Sequence, residues 1–220
     1  MDSGYKIYTS ILREKLQREF EEKNILSETQ MGFRKKRSTI DAIYILKNAI
    51  DREIIEKRKV YAFFVDLKAA FDNVSRKELI KMMKQENINI KLCEGLEDIY
   101  SETKSKIRIK DEIIDEFWTD KGVRQGCNLS ADCFNFYISD LEKEMQKCVE
   151  GGIRVGRKKI WTIVYADDIV LLALSEEALS EMIKLLEKYL QKKELELNAK
   201  KSKIMIFGET RGRKKKGRKV

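Results

Sequence analysis

The stretch Trp161-Thr-Ile-Val-Tyr165-Ala166-Asp167-Asp168-Ile-Val-Leu-Leu-Ala-Leu174 decides the fold. Two short apolar runs flank a pair of acids, and runs of this length and make-up mark buried strands. An acid pair between buried strands needs a reason, because an unpartnered charge is costly to bury. It can be a hairpin turn, since Asp tolerates turn geometry. It can also be a ligand set, since carboxylates gathered at strand ends bind divalent cations. Adjacent strand residues point to opposite faces. Asp167 and Asp168 are therefore equal ligands only if they occupy the turn; otherwise one is the ligand and the other a supporting charge.

A second run, Tyr61-Ala-Phe-Phe-Val65-Asp66-Leu67, has the same form with a single acid at its end. Outward from these runs, Ile7, Ile11, Leu12, Leu16 and Phe20 predict a helix over 5–22. Ser38 with Asp41 opens a second helix whose stripe is Ile40, Ile43, Leu46, Ile50 and Ile54. Ser75 with Glu78 is a capping box for a helix over 76–85, and another helix is expected over 90–100. Paired strands are expected at 104–109 and 112–118, a loop at 122–126, and a helix capped by Ser130 that reaches about residue 147. Turns fall at Gly151-Gly152 and Gly156. A helix led by Ser175, Glu176 and Glu177 runs to about residue 191, with its acids suited to the dipole, and a last strand spans 203–207. Strands and helices mix without strict alternation, so the class is α+β.

With no histidine in its 220 residues, the chain excludes Ser-His-Asp and Cys-His catalysis and every zinc site that needs imidazole. Its four cysteines form no CxxC pair and are expected to be reduced packing residues. A metal must then be held by carboxylates, which makes Mg²⁺ or Mn²⁺ the expected ion. Proline is also absent, so turns rest on Gly, Asn and Asp. No apolar run is long enough for a membrane helix and the N-terminus has no apolar leader core. The expectation is an intracellular protein, nuclear or cytoplasmic, with no membrane partner.

Five motifs, in order, resemble those of reverse transcriptases, in the style of non-LTR (LINE-type) retrotransposons. Tyr165-Ala166-Asp167-Asp168 resembles the family's catalytic turn, and Phe64-Val-Asp66-Leu-Lys-Ala-Ala-Phe71-Asp72 its first catalytic motif. Gly122-Val-Arg124-Gln125-Gly126-Cys-Asn-Leu-Ser130 resembles the substrate-binding loop and helix, and Leu197-Asn-Ala-Lys-Lys201-Ser-Lys203 the motif that follows. Gln30-Met-Gly32-Phe-Arg34-Lys35-Lys36-Arg37-Ser-Thr-Ile-Asp-Ala42 resembles a fingers segment. The resemblance covers about 4–207.

It implies a polymerase palm, an antiparallel sheet with helices packed on one face, over 61–210. Partial helical fingers would occupy 1–60 and a disordered basic tail 211–220. It implies an RNA-directed DNA polymerase that takes an RNA template, a DNA primer and dNTP, and uses two Mg²⁺ or Mn²⁺ ions. By position Asp66 and Asp167 would be metal ligands, with Asp168 auxiliary. Phe71 would lie under the incoming sugar and reject a 2′-hydroxyl; otherwise it is a core aromatic. Gln125 and Gly126 would lie against nucleotide and template. Arg124 would bind substrate or be a solvated charge, and Lys201 would protonate pyrophosphate or be surface. Arg34, Lys35, Lys36 and Arg37 would touch template phosphate or form a solvated loop. Ala131 stands where the family usually has proline. The family's first fingers motif, thumb and endonuclease are expected to be missing. The alternatives are a catalytically inactive nucleic-acid-binding remnant and, disfavoured by Phe71, an RNA-directed RNA polymerase.

The net charge of +9 is concentrated at one end. Residues 211–220 carry seven Lys/Arg and no acid, which leaves 39 basic against 37 acidic residues, or +2, elsewhere. Such a segment cannot bury a core, and it suits nonspecific contact with phosphate or an import signal. On single-stranded RNA each neutralised phosphate contributes roughly −0.7 to the slope of log K against log salt. A chain stopped after Thr210 should therefore show a slope flatter by about 3–5 units. Superimposable salt series for the two chains would remove the tail from binding.

Overall fold

The computed structural model describes residues 3–101, 103–109, 112–124 and 126–208. Gln125 and the basic segment 211–220 lie outside the described residues. The first half contains α1 (Ser3–Glu22), α2 (Thr39–Ile55), β1 (Val60–Val65), α3 (Arg76–Gln85), α4 (Ile90–Ser101), β2 (Lys104–Ile109) and β3 (Glu112–Trp118). The second contains α5 (Asn128–Tyr137), α6 (Leu141–Met145), β4 (Ile153–Val155), β5 (Lys158–Ile160), β6 (Thr162–Tyr165), β7 (Asp168–Ala173), α7 (Glu176–Lys192) and β8 (Lys203–Phe207). They divide into two compact units. One comprises Met1–Leu26 and Ala69–Ile138, the other Ser27–Lys68 and Ser139–Val220.

The second unit is built on a four-stranded antiparallel sheet in the order β6-β7-β1-β8. β1 is central because both of its sides are apolar: Phe63 is paired to Leu171 on one flank and Ile204 on the other. Val60, Ala62, Ile163 and Leu172 on one face pack with Ala49 and Ile50 of α2. The alternate residues Phe63, Val65, Ile169, Leu171 and Ala173 are buried too. They face the side where α7 lies against β1 and β7 and inserts Leu179, Met182 and Leu186. The sheet thus carries α2 on one face and α7 on the other.

α2 meets the sheet through only part of the expected stripe, Leu46 and Ile50. Ile40, Ile43 and Ile54 are exposed. Ala42, Ile45, Leu46, Ala49 and Ile50 form the packed side, because two alanines let the helix approach closely. Its capping box is as expected: Asp41 Oδ2 accepts from Ser38 N at 2.7 Å and Ser38 Oγ from Asp41 N.

In the first unit α1, α3, α4 and α5 pack together, with the β2–β3 hairpin attached. Leu12, Leu16 and Phe20 of α1 are buried and Phe20 stacks on Phe136 at 5.0 Å, whereas Ile7 and Ile11 are exposed. Two expected caps are corrected. Ser75 stands at the start of α3 without a side-chain cap, because its backbone is bridged to Lys121. Ser130 lies inside α5, whose cap position is Cys127, and its hydroxyl donates to Arg124 O at 2.6 Å. The single helix expected to about residue 147 is two, α5 and α6. A hairpin, β4–β5, occupies a stretch where only turns were expected.

The outer edge of β6 is covered by 29–31. Gln30 forms a parallel bridge with Val164, Val164 N donates to Thr29 O at 3.0 Å, and Met31 N donates to Val164 O at 2.8 Å. Pairing the edge removes a row of open hydrogen-bonding groups. Gly32 makes the approach feasible, since a Cβ there would fall on the Ala166 amide nitrogen and 3.1 Å from the Tyr165 carbonyl carbon. Backbone cannot swing aside as a side chain can. Gly32→Ala should cost about 1–3 kcal/mol of unfolding free energy. Urea denaturation checks this, and a wild-type midpoint would show that the edge yields freely.

Candidate active site

Each unit brings together one set of the candidate residues. In the sheet unit, β6 and β7 are joined by a two-residue loop, Ala166-Asp167, closed by the Tyr165–Asp168 pair. Ala166 holds φ +57, a left-handed conformation uncommon outside glycine that hairpins this tight require. The acid pair therefore spans the end of a hairpin turn. Asp167 sits in the loop, half-buried, and Asp168 opens β7.

Val65 pairs with Ile169. One step further along the antiparallel register, Asp66 comes opposite Asp168. The electrostatics agree: the Asp168 carboxyl is pushed above the usual carboxylate range, first by partial burial, then by the charges of Asp167 and Asp66. Asp167 and Asp66 therefore bring like charge to Asp168, which a bound divalent cation would offset. Among the described residues no group of three or more Asp, Glu or Cys side chains stands in metal-holding geometry.

Asp66 is held by its backbone. Its N–H donates to Ser202 Oγ at 3.0 Å and its carbonyl accepts from Asn198 N at 2.8 Å. Leu67 bridges Leu197, and Lys68 N donates to Glu196 O at 2.8 Å. The 196–202 segment thus works as a splint along Asp66. Lys201 lies in its turn, exposed, with its N–H on Asn198 O at 3.1 Å. Sequence reasoning missed Asn198 and Ser202, although both lie in a quoted motif.

The basic cluster splits in two. Arg34 donates to Ser27 O at 2.8 Å, and Arg37 grips Glu28 through its carbonyl at 3.0 Å and its carboxylate at 2.7 Å. That hydrogen bond holds the Glu28 carboxyl below its ordinary range. Lys35 and Lys36 are exposed.

In the helical unit Phe71 is half-buried, its ring stacked on buried Phe134 at 4.7 Å. Its carbonyl accepts from Val123 N at 2.9 Å, and Val74 O from Gly122 N at 2.8 Å. The 71–75 segment is thereby zipped to 121–123. Gly122 has φ +82, and a Cβ there would lie 2.7 Å from Asp72 O. Gly126 is exposed with φ +79. Arg124 turns into the protein: Nη2 donates to Ile99 O at 3.0 Å and Thr103 Oγ1 at 3.2 Å, and the guanidinium lies 5.2 Å over the Tyr5 ring. Half-buried, Arg124 thus has its guanidinium engaged within the helical unit.

The chain is 24% identical over 180 residues to a retrovirus-related Pol polyprotein from the type-1 retrotransposable element R2 of Nasonia vitripennis, covering 82% of this chain and 17% of that protein. It is 25% identical over 190 residues to a probable RNA-directed DNA polymerase from transposon BS of Drosophila melanogaster, covering 86% and 20%. It thus spans about a fifth of the length of these relatives. Among solved structures, apo telomerase from Candida tropicalis, truncated from its C-terminal domain, superposes with a TM-score of 0.65 at 15% identity, over 94% of this chain and 42% of that one. Telomerase from Candida albicans in complex with a TWJ fragment of telomeric RNA gives 0.63 at 15%, over 90% and 35%. These structural likenesses are of fold. Matched over residues 1–219, the chain belongs to the reverse transcriptase (RNA-dependent DNA polymerase) family.

Proposed function

We propose that this chain carries out RNA-templated DNA synthesis, transferring a deoxynucleotidyl group from dNTP to the 3′-hydroxyl of a primer paired with RNA. The observation that carries this is the antiparallel register that sets Asp66 opposite Asp168, beside the turn bearing Asp167. Its support from relatives is the RNA-directed DNA polymerase of transposon BS, by its name.

Asp66 and Asp167 are assigned to hold two divalent ions, Mg²⁺ or Mn²⁺, and Asp168 to assist. Asp168 takes up a proton more readily than an ordinary carboxyl, which suits an auxiliary. Bound there, the ions would supply activation of the 3′-hydroxyl and charge stabilisation of the leaving pyrophosphate. Phe71 is assigned to sugar selection, since a ring clamped on Phe134 cannot retreat from a 2′-hydroxyl. Gly126 and Gln125 are assigned to nucleotide and template, Gly126 because it lets backbone approach closely. Lys201 is assigned as proton donor to pyrophosphate, and exposed Lys35 and Lys36 as the template-phosphate contacts of the basic cluster.

Primer extension on an RNA template with Mg²⁺ tests the assignment. Asp66→Asn and Asp167→Asn should each reduce extension to background with the thermal midpoint kept or slightly raised, because each removes charge and hardly any volume. Full extension by either variant overturns the carboxylate assignment. An inactive wild-type chain that still binds RNA would favour the remnant instead.

Phe71→Val opens the space a 2′-hydroxyl needs. The ratio of NTP to dNTP incorporation should rise about tenfold or more, equivalent to ~1.4 kcal/mol of lost discrimination. An unchanged ratio in an active variant returns Phe71 to a packing role.

A further inference from the structure

Arg76 opens α3 and is 8% exposed. Its Nε donates to Gly122 O at 2.7 Å, and its Nη1 donates to Thr119 O and, at 3.4 Å, to Tyr100 O. The guanidinium carbon lies 4.8 Å over the Tyr100 ring. One fork therefore ties the last turn of α4, the exit of β3 and the first residue of the 122–126 loop. No salt bridge to a carboxylate is among its contacts in the described residues; its hydrogen-bond acceptors are main-chain carbonyls. Burial accordingly pulls its pKa down from the ordinary guanidinium value.

The same helix end takes a second guanidinium. Arg124 donates to Ile99 O while Arg76 donates to Tyr100 O. These are carbonyls of the last turn of α4, where no intrahelical donor follows and the dipole favours a cation. Gly122 is held from both ends: its N–H by Val74 O, and its carbonyl by Arg76. Two residues later Arg124 is held as well, its carbonyl accepting from Ser130 Oγ.

We propose that Arg76 is a positioning residue for nucleotide binding, fixing residues 122–124 to the end of α4 through main-chain carbonyls, beside the neighbouring carbonyl that Arg124 takes. The proposal rests on the assignment of the 122–126 loop to the incoming nucleotide. Arg76 touches no substrate; it sets where Gly122 and the residues after it stand. Lysine cannot replace it, because one ammonium on a flexible stem cannot span three carbonyls in a plane.

Amide hydrogen exchange on the full chain tests the clasp without any need for activity. In Arg76→Lys, exchange of the Gly122 and Val123 amides should accelerate by about 10- to 100-fold while that of α1 and α5 stays as in wild type. Arg76→Met should do the same more strongly, and Lys77→Met, which removes the neighbouring exposed charge, should change nothing. Uniform acceleration throughout the helical unit would make Arg76 a stability residue only and overturn the proposal; so would unchanged exchange at Gly122 and Val123. In single-nucleotide extension, Arg76→Lys should raise the KM for dNTP by about 10-fold or more with kcat and primer–template affinity within about twofold. A fall in kcat at unchanged KM would overturn it. If the wild-type chain extends no primer, the polymerase assignment fails there, and the exchange data still decide whether Arg76 holds the loop.

Discussion

Asp168 bears the charges of Asp167 and Asp66 in addition to partial desolvation, at a position that stays open to solvent. What keeps them together is the position of β1. A strand paired on both flanks and packed on both faces cannot slide, and a slip of one residue would send Asp66 to the other face. The sheet therefore carries the cost of the carboxylate cluster. The same constraint explains the flanking parts: 196–202 splints the chain just past the end of β1, and 29–31 closes the β6 edge next to the turn.

The helical unit solves a different problem with the same means. Its loop has no strand to register it, so main-chain groups are gripped one at a time. Phe71 O and Val74 O take the amides of Val123 and Gly122, Arg76 takes the Gly122 carbonyl, and Ser130 takes that of Arg124. In both units a residue assigned to chemistry, Asp66 in one and Phe71 in the other, has its main-chain carbonyl already paired. That leaves little conformational entropy to lose when a substrate arrives.

What the sequence revealed and what it hid follow from the kind of partner each residue has. β2, β3 and β8 are legible to the residue because each is a short run with clear ends. Asp66, Asp167 and Asp168 stand out because an acid at the end of an apolar run contradicts its surroundings. Arg76, Asn198 and Ser202 do not stand out, because their partners are backbone groups, which have no signature in a sequence. Arg34 to Arg37 look alike as four consecutive cations, yet Glu28 and two carbonyls separate them into internal and external pairs. The break between α5 and α6 passes through Ile138-Ser139-Asp140 with neither glycine nor proline to announce it, and β4 and β5 are three residues each, too short for a period to show.

The pairing of Phe63 with Leu171 carries a consequence for how the chain is made. A loop of about a hundred residues must close before β1 gains its β7 partner, and the entropy of that closure is met before the pairing rewards it. On a ribosome adding ~5–20 residues per second, β1 waits roughly 5–20 s for β7 to emerge. Through that interval Tyr61-Ala-Phe-Phe-Val65 is a β-prone, uncharged run with both edges open, the composition that invites pairing between chains. α2 is synthesised just before β1 and already offers Ala49 and Ile50 to one of its faces. In a nascent chain that helix is the shield that a late-arriving sheet needs.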